Sequence, residues 1–324
     1  MSIRTACLPR LLAALLVVAA PWAGAQDFPS RLIKFVVPFS PGSGTDTSAR
    51  HFARKLSEMT GQPVIVENKP GANGFLAVRQ VLSAPADGYT VFVGSNSTLA
   101  VNTALFRKLP YDPQVDFTPL TMMMRAPALL AVPAGSPHTT LADLVRDAKA
   151  QPGKLNYGSG SAGYQLMAEL FKEQAQLDIR HVPFKGASEA LTAVASGTVD
   201  LTFADITAST ELVKGNRVRA LAVAADRRAG ALPAVPTAAE AGLPGFTAYV
   251  WVGAMVSAKT PKAEVDKLSQ LLAQIERLPE TREFYEKQGA EVMQGGADEM
   301  RKFQADEIAL WKRIATKAKV ELQD

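Results

Sequence analysis

Ile33-Lys34-Phe35-Val36-Val37-Pro38-Phe39-Ser40-Pro41-Gly42-Ser43-Gly44-Thr45-Asp46 is the stretch that decides the fold. Its first five residues, apolar but for Lys34, have the length and make-up of a strand, residues 38–45 form a Gly/Ser loop, and residues 46–59 an amphipathic helical pattern stopped at Gly61. Glycines in such a loop let the backbone turn tightly. The free N–H groups of the helix's first turn then attract an anion. Asp46 fits the helix N-cap better than a ligand contact. The alternative for this loop, taken alone, is an ordinary strand-to-helix turn.

Working outward, the same alternation continues. Residues 64–66 and 90–94 are strand-like and residues 73–82 helical. A second series begins near Ala128, with strands over 129–132, 155–157, 181–184, 199–203 and 219–223. Its helices fall over 140–150, where Thr139 or Thr140 is placed to cap, and over 161–174 and 188–196. Alternation of this kind predicts an α/β fold, a parallel or mixed sheet covered by helices, in two units of ordinary domain size. The tail differs, being helical over 262–275, 279–287 and 297–319, too little for a third core. We expect it to pack on the first unit, so that the chain crosses outward through residues 122–126 and returns through 246–252. Two crossings make a hinge, and the cleft between lobes is where a ligand pocket belongs. Residues 26–125 with 248–324 then form one lobe and residues 126–247 the other.

Tyr157-Gly158-Ser159-Gly160-Ser161-Ala162-Gly163-Tyr164-Gln165 repeats the strand, Gly/Ser loop and helix order in the second lobe. Gly158, Gly160 and Gly163 match G-x-G-x-x-G, and Asp178 lies twenty positions on, but the same backbone geometry serves any anion at a helix start, so the match does not single out a dinucleotide. Gly94-Ser95-Asn96-Ser97-Thr98, Phe184-Lys185-Gly186-Ala187-Ser188 and Phe203-Ala204-Asp205 each follow a strand. In open α/β sheets ligands gather beyond the carboxyl ends of strands, so all five polar loops are expected to face one cleft.

The ends and the composition bound the setting. Arg4 and Arg10, the apolar run 11–20, Pro21-Trp22 and the triplet Ala23-Gly24-Ala25 have the order of a secretory signal peptide cleaved after Ala25. The only cysteine, Cys7, precedes that point, so the exported chain is expected to rely on its core without a disulfide, as in a bacterial periplasm. The chain carries 35 basic and 31 acidic residues; setting Arg4 and Arg10 aside leaves a net charge of +2. That balance, with no basic run interleaved with aromatics, argues against a nucleic-acid partner. Hydrolase chemistry is the main competitor because serines abound. No serine falls in G-x-S-x-G, and the only histidines, His51, His138 and His181, lie in a helix, a loop and a strand start. No cofactor is expected, and no metal cluster is legible.

With those loops in view, the chain resembles the tripartite tricarboxylate transporter substrate-binding family, the Bug-type periplasmic solute receptors. The resemblance rests on Pro29-Ser30-Arg31, Val36 to Asp46, Val66-Glu67-Asn68-Lys69-Pro70-Gly71-Ala72 and Ala86-Asp87-Gly88-Tyr89-Thr90. It continues through Leu109-Pro110-Tyr111-Asp112, Pro152 to Ser159, Val182 to Gly186 and Glu240 to Phe246, over nearly the whole mature chain. It implies a type II periplasmic-binding-protein fold closing like a flytrap on a small carboxylate held by loop backbone, hydroxyls and water. It also implies a receptor, not an enzyme, acting as a monomer outside the bilayer and delivering its ligand to the membrane components of a tripartite carrier. A sensor-only receptor and a periplasmic hydrolase remain the alternatives. The ligand-binding set expected is Phe39, Ser40, Gly42, Ser43, Gly44, Thr45, Ser95 and Asn96 from the first lobe. From the second come Tyr157, Ser159, Ser161, Gly163, Tyr164, Lys185, Ala187 and Asp205. Three departures stand out: Ser43 in place of the family's usual glycine, a loop over 159–163 about two residues short, and Asp205 where many members carry asparagine.

Overall fold

The computed structural model describes residues 28–324. The expected leader, with Cys7 and the cleavage point, lies outside the described residues. In chain order the first series is β1 (Ile33–Val37), α1 (Gly44–Thr60), β2 (Val64–Asn68), α2 (Phe75–Ser83), β3 (Thr90–Ser95) and α3 (Asn102–Leu105). The long strand β4 (Phe117–Pro133) leads to α4 (Leu141–Ala150), β5 (Asn156–Ser159), α5 (Ala162–Ala175), β6 (Arg180–Pro183) and α6 (Ala187–Ala195). Then follow β7 (Leu201–Asp205), α7 (Ile206–Lys214), β8 (Val218–Val223), β9 (Tyr249–Ser257), α8 (Lys262–Arg277), α9 (Pro279–Glu286), β10 (Glu291–Val292) and α10 (Ala297–Lys317).

The strands join in the order β2-β1-β3-β9-β4-β7-β5-β6, with β8 and β10 also paired to β4. The outer pairs β1/β2, β1/β3, β5/β6 and β5/β7 are parallel, whereas every pairing of β4 or β9 is antiparallel. The expected mixed α/β architecture is therefore present. Ile33, Phe35, Val36 and Val37 of β1 have no exposed surface, as expected for a parallel strand between neighbours and helices, while Lys34, the one polar residue of the run, stays partly exposed and pairs with Glu67. Ser43 caps α1 at its start, and Gly61 ends it in the left-handed conformation at φ 68°.

β4 holds the two parts of the sheet together. Through Pro127 it pairs with β9, and from Ala128 onward with β7 and β8. β9 and β4 thus pass side by side between the parts, and Ala128 N–H donates to Ala248 O. Sequence reasoning had only residues 129–132 of β4 as strand and treated 122–126 and 246–252 as passages. The cause is Pro119 and Pro127, which argue against a central strand; the ladder accommodates the first by a register shift between Pro119 and Thr121, followed by another between Met122 and Met124. Met123 and Met124 are fully buried there, and Gly253 opposite them has no Cβ because Met300 occupies that space.

Three further elements were not anticipated: α7, β10, and a π-helical turn over Ser97–Val101 running into α3, where a loop was expected. α2 begins at Phe75 after a 3-10 turn over Ala72–Gly74. The tail packs on the first series through α8 and the π turn, and α10 also reaches α5 of the second. There Lys317 Nζ lies 3.4 Å from Glu173 Oε2, and Gln323 Nε2 donates to Gln165 Oε1. Among the described residues no helix is long and apolar enough to cross a membrane.

Candidate functional site

The loop after β1 is held from behind. Ser43 Oγ accepts the Asp46 N–H, so Ser43 is the N-cap of α1 and the expectation that Asp46 caps is corrected. Asp46 is the third helical residue, and from there its carboxylate reaches back: Oδ2 accepts the Gly42 N–H at 2.9 Å and Arg50 Nε at 3.0 Å. Oδ1 accepts Asn68 Nδ2 at 2.8 Å, and the same Nδ2 donates to Phe39 O. Loop curvature is thereby fixed by side chains that do not face the cleft.

Across the cleft three more helices begin. Ser161 Oγ accepts the Tyr164 N–H at the start of α5, and Gly186 precedes α6, whose first residue is Ala187. Asp205 caps α7, its Oδ1 accepting the Ala208 N–H at 2.9 Å and the Thr207 hydroxyl. Tyr164 donates its hydroxyl proton to Asp205 Oδ2 at 2.6 Å, while its oxygen accepts the Asp205 N–H at 3.0 Å. Burial, then the adjacent carboxylate, pushes the Tyr164 phenol well above its ordinary pKa, so it stays a neutral donor.

These starts surround one small inner cavity of about 10 Å³, room for about one water with the two sides pressed together as they are here. Of the sixteen residues expected at the site, Phe39, Ser43, Gly44, Thr45, Ser95, Ser161, Tyr164, Ala187 and Asp205 line it. Gly160 and Val250 complete the lining and were missed. Gly160 contributes no side chain and is required for that reason, since a Cβ there would overlap Gly186 C and Ala187 N. Larger grooves exist: an open one between α4 and α7, and an outer opening that also draws loops from both sheet parts, Pro38 and Phe39 on one side and Gly160 to Ala162 with Pro183 to Lys185 on the other.

The other expected residues are placed around the cavity or away from it. Ser40 Oγ donates to Glu189 Oε1 at 2.6 Å and Ser188 Oγ to Pro41 O at 3.0 Å, so Ser40 and Gly42 form the seam where the two sides meet. Ser97 Oγ donates to Ser161 Oγ at 2.9 Å and accepts the Gly163 N–H at 3.0 Å, making a second seam on which Asn96 also packs. Asn96 Oδ1 is buried without a partner. Lys185 lines an outer opening with Phe39, Ser161 and Glu189. Tyr157 and Ser159 do not reach the cavity: Tyr157 stacks on His181 and donates to Glu169, and Ser159 Oγ lies 2.6 Å from His181 Nε2. The cause is the two-residue strand period, which puts both on the β5 face turned toward His181.

No histidine lines the cavity. His51 bonds Thr281 and stacks on Phe284, and burial, followed by Arg54 and Lys55, lowers its pKa to about 4. His138 faces Asp147. Among the described residues no group of three or more His, Cys, Asp or Glu could hold a metal. The cavity thus offers hydroxyls, amide hydrogens and one carboxylate, a set suited to hydrogen bonding a polar solute.

Comparison with known proteins accords with this geometry. Residues 48–320 match the family model described as tripartite tricarboxylate transporter family receptor. Protein BugT of Bordetella pertussis is 32% identical over 309 residues, 94% of each chain. A structure of an R. palustris protein with adipate superposes with a TM-score of 0.88 at 35% identity, covering 92% of this chain and 100% of that one. MatC from Rhodopseudomonas palustris, with bound malate, gives 0.84 at 32% identity, covering 89% and 99%. Two sheet parts joined through paired strands, helix starts facing one cavity, and a family match over most of the length agree, and the chain belongs to the tripartite tricarboxylate transporter receptor family of periplasmic solute-binding proteins.

Proposed function

We propose that the protein captures a small carboxylate-bearing solute in the inner cavity by closing residues 126–247 against residues 26–125 and 248–324, without chemical turnover. The observation that carries this is the convergence of four helix starts, those of α1, α5, α6 and α7, on one cavity without a lysine or arginine in its lining. The starts of α1, α5 and α6 present the first-turn N–H groups that their caps leave free, each with about half a positive charge, while Asp205 already occupies that of α7. An anion in favourable, partly buried geometry gains about 1 kcal/mol from each, so several together can replace an arginine. Phe39, Val250 and Ala187 supply apolar surface for the ligand's carbon chain. The seams at Ser40 and Ser97 form only when the sides meet, so a ligand that bridges them favours the closed state.

By family, the solute passes to the membrane components of a tripartite carrier. The order of residues 1–25 supports export with cleavage after Ala25, which the intact mass of the protein from a periplasmic extract tests. Calorimetry against di-, tri- and amino-carboxylates, with small-angle scattering before and after saturation, tests the receptor reading. Micromolar or tighter binding with a fall in radius of gyration is expected. Silence across all acid classes would overturn it, as would ester or amide turnover abolished by one serine substitution.

A further inference from the structure

Asp205 is the only charged side chain lining the inner cavity, and it is 1% exposed. None of the ion pairs among the described residues includes it. Its partners are the Tyr164 and Thr207 hydroxyls and the Ala208 amide, all neutral. An ionised carboxylate accepts at about four lone-pair sites, so these three donors hold it in place and leave one acceptor free. The carboxylate also stands at the junction of the two sides, since a Cβ on Gly44 would lie 2.6 Å from Asp205 Oδ1.

A buried carboxylate with no ion pair is expensive, and the start of α7, which Asp205 caps, offsets only about half a charge, so a cation within the cavity would supply the rest. Lys185 belongs to the outer opening and not to the inner lining, and no lysine or arginine lines the inner cavity. We infer that the solute is an amino-carboxylate, an amino acid or ω-amino acid, whose ammonium group meets Asp205 while its carboxylate lies on the helix starts. This rests on the receptor reading and narrows it. A dicarboxylate of equal length would set its second anion a few ångströms from Asp205, where like charges repel and water is largely excluded. Asp205 is thus the residue that determines specificity, since no other side chain lining the cavity carries a charge.

The test is calorimetry with matched pairs that differ only in one terminal group: succinate and β-alanine, glutarate and 4-aminobutyrate, adipate and 5-aminopentanoate, with the common α-amino acids alongside. The expected result is at least tenfold tighter binding of the best amino-carboxylate than of its dicarboxylate counterpart. Asp205→Asn keeps a good N-cap for α7, and it should shrink that ratio at least tenfold, with thermal melting as the check on folding. If Asp205→Asn does not fold, the wild-type ratio decides alone. Dicarboxylates binding as tightly as their amino counterparts would overturn the inference and leave the receptor reading standing, and so would a ratio that Asp205→Asn leaves unchanged. No heat from either class would remove both.

Discussion

Ser97→Ala should separate closing from folding. Ser97 is 2% exposed and lies outside the inner cavity lining, yet its hydroxyl donates to Ser161 Oγ and accepts the Gly163 N–H, both on the opposite side of the cleft. A neutral hydrogen bond contributes a net ~0.5–1.5 kcal/mol, so losing two weakens the closed state by about 1–3 kcal/mol. Open, those groups meet water and the substitution changes little. The closed population, and with it the apparent affinity, should therefore fall about 5- to 150-fold. Each side's own packing is untouched, because Ser161 still caps α5. Calorimetry with the tightest-binding acid gives the affinity, small-angle scattering the closed fraction, and thermal melting the stability, which should move by no more than a couple of degrees. A lowered melting temperature with unchanged affinity would refute the reasoning, because the two bonds would then support the fold and not the closure.

Two other outcomes follow from the geometry. Gly160→Ala forces a methyl into Gly186 C and Ala187 N, backbone that cannot step aside, so the loop after β5 must lift off α6. Calorimetry should show affinity falling more than tenfold, and chemical denaturation a loss of about 1–3 kcal/mol. Glu276 is buried with Thr121 donating to it, and burial raises its pKa to about 8. A carboxyl held protonated by the fold lends stability that is complete below its unfolded value near 4.5 and is lost as pH rises through about 8. Glu276→Gln, which cannot ionise, should match wild type at pH 5 and exceed it by on the order of 3 kcal/mol at pH 8 in urea denaturation; equal curves at both pH values would contradict the burial argument.

Much of the scaffold was legible because its signals are local. β1 shows an apolar run interrupted only by Lys34, α1 a glycine stop, and α4 a Thr140–Asp143 capping box that fixes its first turn. What escaped depends on distant partners. β4 hides behind Pro119 and Pro127, whose missing amides matter only once its neighbours and register are known. α7, with Ile206, Thr207, Thr210 and Val213, is rich in β-branched residues that weaken a helical signal, although Asp205 three positions before Ala208 was a usable cap signature. At the site, helix starts were found because Gly/Ser loops after strands mark them. Gly160 was missed because its contribution is the absence of a side chain, and Val250 because β9 was read as a passage. Tyr157 and Ser159 lie away from the inner cavity because the strand's alternation turns both toward Glu169 and His181, a direction that a polar loop credited to the cleft as a whole does not reveal.

The methionines around the paired passage of β4 and β9 have a mechanical consequence. Met123, Met124, Met255 and Met300 are all fully buried there, and unbranched thioether chains change rotamer without leaving a rigid gap. Two strands bonded edge to edge flex together as a leaf spring does, about one axis, and resist turning independently. Compliance is then stored in soft side chains and two ladder irregularities, with no loop needed as a swivel. Opening under this arrangement melts no element, so amides of the passage should exchange with deuterium as slowly in the solute-free protein as in the loaded one.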